Sequence, residues 1–514
     1  MSSSSSTEVP HSRSRRAATN ALFSITAFGY GAILSVIITP LLVHGLGATY
    51  YGIFALSAAA IGFVGILDFG MGTALVSFLS STLGRGDEAE SRRLIQASAA
   101  FYAAVGAFAF VIMILIALTL APRLFHLSGA QLGVARFALI VSGSAFAFET
   151  ASRAFSAVPF AMQRYGVTMA IRVSTGTIGA AVSATIILAG FGLRALVGAY
   201  AVLDLVGFIA FVILARRLLP GLRIRPRWDG VRIRRLMTLS VWVFVANISA
   251  FVIFQFDRLM LGSLASVSAV TYYAVPSSMA SYLLAATTSL ATVVIPATGD
   301  LIARGEFHRV ERLYRRSTRL CLLFVGSLGI PAIFFAHPLL SVWLGHGFAN
   351  RSSAVLQILV LTFIFFSLTV VPYNILVAGG HPRVVGLLNL AIAGVNVILI
   401  FALIPTYGAK GAAIAYLVSI LLFPLFIWSA ERKVLRFDRS RWFAIVWRVL
   451  PGLAVQGVVC AALHPFVGAN AWLIPALVLT LPLPALVYVF SGLIDDDERS
   501  LIRDFLPGGQ PAAP

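Results

Sequence analysis

The stretch Ile95–Ala121, IQASAAFYAAVGAFAFVIMILIALTLA, runs for 27 residues without a charge, flanked by Arg92-Arg93 and by Arg123. About 20 apolar residues carry a helix across the ~30 Å hydrocarbon core of a bilayer. The run is continuous and not alternating, which reads as a transmembrane helix and not as a barrel strand. Similar runs recur along the 514 residues, at 20–43, 51–80, 95–121, 134–158, 165–190, 195–215, 237–256, 272–299, 320–345, 353–379, 384–405, 409–430, 446–464 and 471–492. The chain is 59% hydrophobic and 11% charged, with mean hydropathy +0.94. A soluble domain is roughly half apolar and about 25% charged, so a water-soluble fold is excluded. The expected fold is all-α and polytopic, with fourteen spans.

The net charge of +19 does not point to nucleic acid, because the basic residues sit in short clusters between the apolar runs. With the N-terminus inside, cytoplasmic segments hold 30 of the 38 Lys and Arg, and outer segments hold six. Two more, Arg153 and Arg172, lie within spans. This is a positive-inside pattern with both termini cytoplasmic. The Ser-rich segment 1–19 reads as a disordered tail and 493–514 as a cytoplasmic tail. Segment 216–236, with eight arginines, reads as a solvated cytoplasmic linker on anionic headgroups. A further cytoplasmic loop spans 431–445.

The two sides of that linker resemble each other. Ala48-Thr49-Tyr50-Tyr51-Gly52 precedes span 2, and Val270-Thr271-Tyr272-Tyr273-Ala274 precedes span 8. Arg85-Gly86 then Arg93-Leu94 follow span 2, and Arg304-Gly305 then Arg312-Leu313 follow span 8. Gly192-Leu193-Arg194 and Gly408-Ala409-Lys410 occupy equivalent places before spans 6 and 12. The offsets are 222, 219 and 216. Six spans per repeat make the repeat parallel, with lobes at 20–215 and 237–430 enclosing a cleft. Spans 13 and 14, at 446–492, form an appendage.

Several patterns in combination carry a family resemblance. They are Gly45-Leu46-Gly47 with Tyr51-Gly52, Leu67-Asp68-Phe69-Gly70-Met71-Gly72, Asp257-Arg258-Leu259-Met260-Leu261-Gly262, Tyr272-Tyr273 and Gly408-Ala409-Lys410-Gly411-Ala412-Ala413. Through them the chain resembles the Wzx-type polysaccharide-export flippases of the MOP superfamily, which also holds MATE drug exporters. The resemblance implies an undecaprenyl-diphosphate-linked oligosaccharide as substrate. It implies transfer from the cytoplasmic to the outer leaflet of a bacterial cytoplasmic membrane, by alternating access. It leaves open coupling to H+ or Na+, and association with a glycan polymerase and glycosyltransferases.

A charge at mid-bilayer costs at least ~2.5–3.5 kcal/mol on insertion scales, so the intramembrane ionisable residues are site candidates. Glu149 and Arg153 are four apart and share a helix face. They read either as a self-neutralising pair or as an acid holding a diphosphate-binding arginine, whose fork matches phosphate oxygens. Arg172 reads as snorkelling to the headgroups or as lining the cleft. Asp68, among Gly65, Gly70 and Gly72, reads as a packing and capping residue or as an ion-coupling one. Asp204 is expected either to pair with an arginine or to couple to a proton or cation. Asp257, beside Arg258, is placed at the water-accessible outer end of span 7, for structure or an outer gate. Among the amides Asn247, Gln255, Asn374, Asn389 and Asn396, helix packing is expected. Sugar contact is expected of members facing the cleft, with Asn247 and Asn374 taken as substrate candidates. Pro40, Pro276, Pro296, Pro331 and Pro372 mark bending points.

Two rival readings fit the sequence less well. A MATE-like exporter of organic cations favours a carboxylate-lined cleft, whereas span 1 has no acid and the spans hold two arginines. A membrane-embedded glycan-modifying enzyme needs convergent acids, bases or nucleophiles, which the short outer loops do not offer. The histidines show no metal-ligand spacing, the two cysteines lie in apolar runs, and no P-loop is present. No cofactor and no metal are expected.

Overall fold

The structure, a computed structural model, describes residues 10–491 except Phe69, His126, Ser128 and positions 238–240, 292–293, 438–439, 441 and 468–471. The expected tail 493–514 and residues 1–9 lie outside this set. Among the described residues every element is a helix, and ten helices are long and apolar enough to cross a membrane. The protein is a multi-pass membrane protein.

Ten differs from the fourteen expected spans for identifiable reasons. Helix α1, Pro10–Gly65, has 56 residues, roughly 84 Å at helical rise, which exceeds one crossing. Gly47, at φ 77° and ψ 165°, breaks its path between expected spans 1 and 2. Gly408, at φ 54° and ψ −129°, does the same inside Pro382–Ile420. Val241–Phe251 has only 11 residues before a π-helical turn, and Val267–Ala291 is long enough but carries many Ser, Thr and Tyr residues, which lowers its hydropathy. Helix α1 also begins at Pro10, so 10–19 is helical where a disordered tail is expected.

Span 2 is not the continuous helix expected over 51–80. After Gly65 the chain makes a 3-10 turn, Ile66–Asp68. Gly70 then takes a left-handed conformation, φ 72° and ψ 14°, and caps α2, Met71–Gly84. Glycine is the residue that reaches this region without a Cβ clash.

The helices group into two compact units. The first runs to Ala274 and includes Val397–Ala409. In it, α3 (Glu88–Leu115), α4 (Gly129–Ala161), α5 (Tyr165–Leu188) and α6 (Leu193–Leu218) pack with α1 and α2. Glycines set the close approaches: a Cβ on Gly106 would sit 3.1 Å from Ala147 Cα, and one on Gly143 would sit 2.8 Å from Met113 Cβ. Leu75, Leu79, Ile95, Tyr102, Phe155 and Val158 form the buried centre.

The linker expected to be solvated is seated on one face. Helix α7, Gly230–Met237, buries Ile233 and Leu236, three apart, in the core that α2 and α3 share. Arg232 grips Glu90 at the start of α3 with two hydrogen bonds, Nη2 to Oε2 at 2.6 Å and Nε to Oε1 at 3.0 Å, and also donates to Asp229. The backbone N–H and guanidinium of Arg232 hold the Asp229 carboxyl below its ordinary range.

Next come α8 (Val241–Phe251), a π-helical turn Val252–Phe256, α9 (Asp257–Leu264) and α10 (Val267–Ala291). Here the two copies of the repeated motif meet. Thr271 Oγ1 donates to the Ala48 carbonyl at 2.5 Å. Gly52 lies so close to the backbone of Val267 that a Cβ would fall 2.1 Å from its carbonyl oxygen.

The second unit comprises Val275–Asn396 and the chain from Lys410 onward. It holds α11 (Phe307–Phe334), α12 (His346–Ala378), most of α13 (Pro382–Ile420), α14 (Pro424–Lys433) and α15 (Leu450–Val467), followed by Leu473–Phe490. The last two helices are tied in by polar contacts. Gln456, fully buried, donates to Ser327 O at 2.8 Å and to Thr480 O at 3.0 Å. Arg319, also buried, donates to Tyr488 Oη at 3.0 Å.

Candidate functional site

Five of the ionisable residues singled out in the sequence line one cavity of the first unit. Asp68, Glu149, Arg153, Arg172 and Asp204 face a space of about 1180 Å³ bounded by α1, α2, α4, α5 and α6. This volume slightly exceeds the ~300–1,000 Å³ of usual small-molecule pockets.

Each charge has a distinct situation. Arg153 Nη2 donates to Glu149 Oε1 at 3.1 Å, one helical turn back on α4. Its Nη1 lies 3.6 Å from Asp68 Oδ1, at the break between α1 and α2. The second distance is an ion pair but too long for a hydrogen bond. Arg153 is therefore clamped between two carboxylates, where the sequence named one. Asp68 does not cap α2: the cap position is Gly70, which has no side chain, and Asp68 Oδ1 accepts no hydrogen bond among the described residues. The capping role expected of it gives way to the ion pair, because Gly70 turns the chain and leaves Asp68 outside the helix.

Arg172 and Asp204 are different. Among the described residues, no carboxylate pairs with the Arg172 guanidinium and nothing hydrogen-bonds to it. Asp204 likewise makes no hydrogen bond or ion pair among them, and the charge it feels is that of Glu149. Among the described residues the cavity thus presents one unmatched cation and one unmatched anion.

The broken span adds a feature that the sequence reading missed. Gly72 and Thr73, in the first turn of α2, line the same cavity. Their end of the helix carries the positive pole of its dipole. A Cβ at Gly72 would stand 3.4 Å from Tyr102 Oη and 4.0 Å from Asp68 Oδ2, so glycine keeps this corner open. The doubled glycines in Asp68-Phe69-Gly70-Met71-Gly72 were the available signal. Tyr51, part of the repeated motif, also faces the cavity, together with Tyr165 and Tyr200.

Asp68 and Arg153 also line a second space of about 370 Å³, together with Gly62, Phe251, Asn247 and Gln255. Gln255 sits on the π-helical turn, and its Oε1 is buried without a hydrogen-bond donor. An unpaired buried acceptor costs ~1–3 kcal/mol.

Two candidates lie elsewhere. Asn374 is buried on α12 in the second unit and lines neither cavity. Asp257 is 2% exposed, not open to water as expected. Its carboxylate accepts from Tyr273 Oη and, at 2.7 Å, from the Arg258 backbone N–H. Position near a helix end did not expose it, because α10 packs its tyrosine over the group. No cluster of three or more metal-ligating side chains occurs among the described residues.

Comparison with known proteins agrees with this architecture. The profile of the polysaccharide biosynthesis protein family matches residues 46–353. A protein of Shigella flexneri named "Putative O-antigen transporter" is 22% identical over 403 residues, covering 77% of this chain and 93% of its own. Among solved structures, the lipid II flippase MurJ in an inward closed conformation superposes with TM-score 0.68 at 15% identity, covering 94% of this chain and 99% of that one. An inward-facing multidrug resistance MATE family transporter of the MOP superfamily gives TM-score 0.63 at 14% identity, covering 78% and 98%.

Proposed function

Because the chain belongs to the polysaccharide biosynthesis protein family, we propose that it is a transporter of the MOP superfamily that flips an undecaprenyl-diphosphate-linked oligosaccharide from the cytoplasmic to the outer leaflet. The observation that carries this reading is Arg172: a guanidinium at membrane depth, facing a large cavity, with no protein partner among the described residues. Such a charge is costly in a membrane unless it serves a ligand or reaches water. A diphosphate offers oxygens that a guanidinium binds bidentately. The positive end of α2 lies on the same cavity and favours the same ligand. The Shigella relative's name and the MurJ-like fold are in line with a lipid-linked glycan.

In this reading the chain crosses the membrane fourteen times with both termini cytoplasmic, and lobes 20–215 and 237–430 alternate in opening the cleft. Asp204 is the group through which H+ or Na+ enters the charge balance, since binding an anion beside an unmatched carboxylate is easier once that carboxylate is neutralised. A glycan polymerase and glycosyltransferases are the partners that supply and consume the substrate. The activity is transport, with no bond made or broken.

A MATE-like export of organic cations is the second reading, favoured by one observation: three carboxylates and two guanidiniums line the cavity. Two of those carboxylates are engaged by Arg153, which leaves Arg172 and Asp204 to decide. Glycan export in a complementation assay separates the readings. Arg172→Ala abolishes it with the protein still in the membrane, and Arg172→Lys retains part, since a point charge remains without the fork. Full export in Arg172→Ala would remove diphosphate binding from Arg172 and leave cation export by Asp204 as the better account.

A further inference from the structure

The geometry points to a sugar-binding subsite in the 370 Å³ cavity, formed by Asn247 and Gln255 and separated from the diphosphate cavity by the Asp68–Arg153 pair. This inference rests on the flippase reading and names the part of the substrate that reading leaves undefined.

The argument is one of charge and of hydrogen-bonding capacity. Asp68 and Arg153 line both cavities, so the two spaces share a wall. In the smaller one these two charges offset each other, and the remaining polar groups are the amides of Asn247 and Gln255. A free cation would meet the Arg153 guanidinium there, and a free anion would meet the Asp68 carboxylate. A neutral group rich in hydroxyls meets neither penalty. An amide both donates and accepts, as a hydroxyl does, so two amides and an ion pair can satisfy a sugar ring from several sides.

Two further features mark the place as more than packing. Gln255 stands on a π-helical turn, Val252–Phe256, a local widening that recurs at functional positions in helices. Its Oε1 is buried with no donor, and no hydrogen bond of its amide nitrogen occurs among the described residues, whereas Gln456, a packing amide of the other unit whose Oε1 is likewise unpaired, places its nitrogen on two carbonyls. Gly62 lies against Gln255 so that a Cβ would stand 3.4 Å from its Cγ, which leaves the amide room beside α1. Phe251 supplies an apolar surface within the same space.

Equilibrium binding of two probes to the purified full-length protein tests the assignment. One probe is undecaprenyl diphosphate. The other is the undecaprenyl-diphosphate-linked glycan extracted from the host. Gln255→Leu keeps the side-chain size and removes the amide. It is expected to weaken binding of the glycan-bearing lipid about tenfold, the equivalent of ~1.4 kcal/mol, and to leave the bare carrier within about twofold, well under that interval. Asn247→Leu, on α8 two helical turns away, is expected to act in the same direction, and decides the matter if Gln255→Leu does not reach the membrane. Equal weakening of both probes, or of neither, overturns the subsite while the flippase reading stands. A sodium dependence of carrier binding that disappears in Gln255→Leu would assign the cavity to a cation and also overturn it. Failure of the native protein to bind either probe would overturn the flippase reading itself.

Discussion

Arg153 on α4 lies 3.6 Å from Asp68, at the break in the second span. This contact joins α4 to the break between α1 and α2, where the second span is interrupted. The pair is part-buried, with side chains 35% and 16% exposed. Removing one partner of a fully buried pair costs ~3–5 kcal/mol, and removing both is often near neutral. With this exposure the penalty falls toward the ~0–1 kcal/mol of surface pairs.

Asp68→Asn and Arg153→Gln are therefore each expected to lower membrane abundance several-fold, as read by immunoblot of membrane fractions. The double variant recovers abundance. If the pair only stabilises, export recovers too. If Arg153 also contacts substrate, export stays absent. Abundance that stays low in the double variant would show that the two charges do not act as a pair.

Gly70 turns the chain at φ 72°. A Cβ in that region costs ~1–2 kcal/mol, with asparagine tolerated better than other residues. Gly70→Ala is expected to lower the melting temperature of the purified protein by a few degrees, and Gly70→Asn by less. Equal melting of Gly70→Ala and the native protein would mean that the second span does not break there.

The contact between the two copies of the repeated motif gives a third prediction. A Cβ on Gly52 would overlap the Val267 carbonyl at 2.1 Å, and rigid backbone cannot yield there. Gly52→Ala is expected to separate α1 from α10. A disulfide between cysteines introduced at Ala48 and Thr271, whose residues are hydrogen-bonded, should form in the native background and be lost with Gly52→Ala. An unchanged crosslinking yield would contradict this close approach.

Topology is checked by fusion. A reporter after Arg235 should report the cytoplasm, and one after Gly347 the outside. A cytoplasmic signal from Gly347 would break the fourteen-span count and the parallel repeat with it.

These elements differ in how readable they were. Continuous apolar runs such as Ile95–Ala121 announce helices because lipid admits few alternatives. The break at Asp68-Phe69-Gly70 was hidden inside such a run, since hydropathy records side chains and not the left-handed backbone that Gly70 adopts. The charged part of the site was legible for an energetic reason. Asp68, Glu149, Arg153, Arg172 and Asp204 are expensive in lipid and therefore conspicuous, and all five line one cavity. Amides are cheaper, so their types did not separate Asn247, which lines a cavity, from Asn374, which does not. Asp257 misled because burial depends on α10 packing over it, a tertiary fact with no local signature. The docking of the basic linker was foreshadowed by Leu219, Leu222, Ile233 and Leu236, apolar residues set among arginines.

The unmatched Arg172 guanidinium is the centre of the account, and equilibrium binding tests it most directly. Undecaprenyl diphosphate and uncharged undecaprenol are titrated into the purified native protein and into Arg172→Ala. A charge-assisted hydrogen-bonded contact contributes ~1.5–3 kcal/mol, so the alanine variant should bind the diphosphate roughly 10- to 100-fold more weakly, with undecaprenol binding unchanged. Equal affinity of both proteins for the diphosphate would contradict the account.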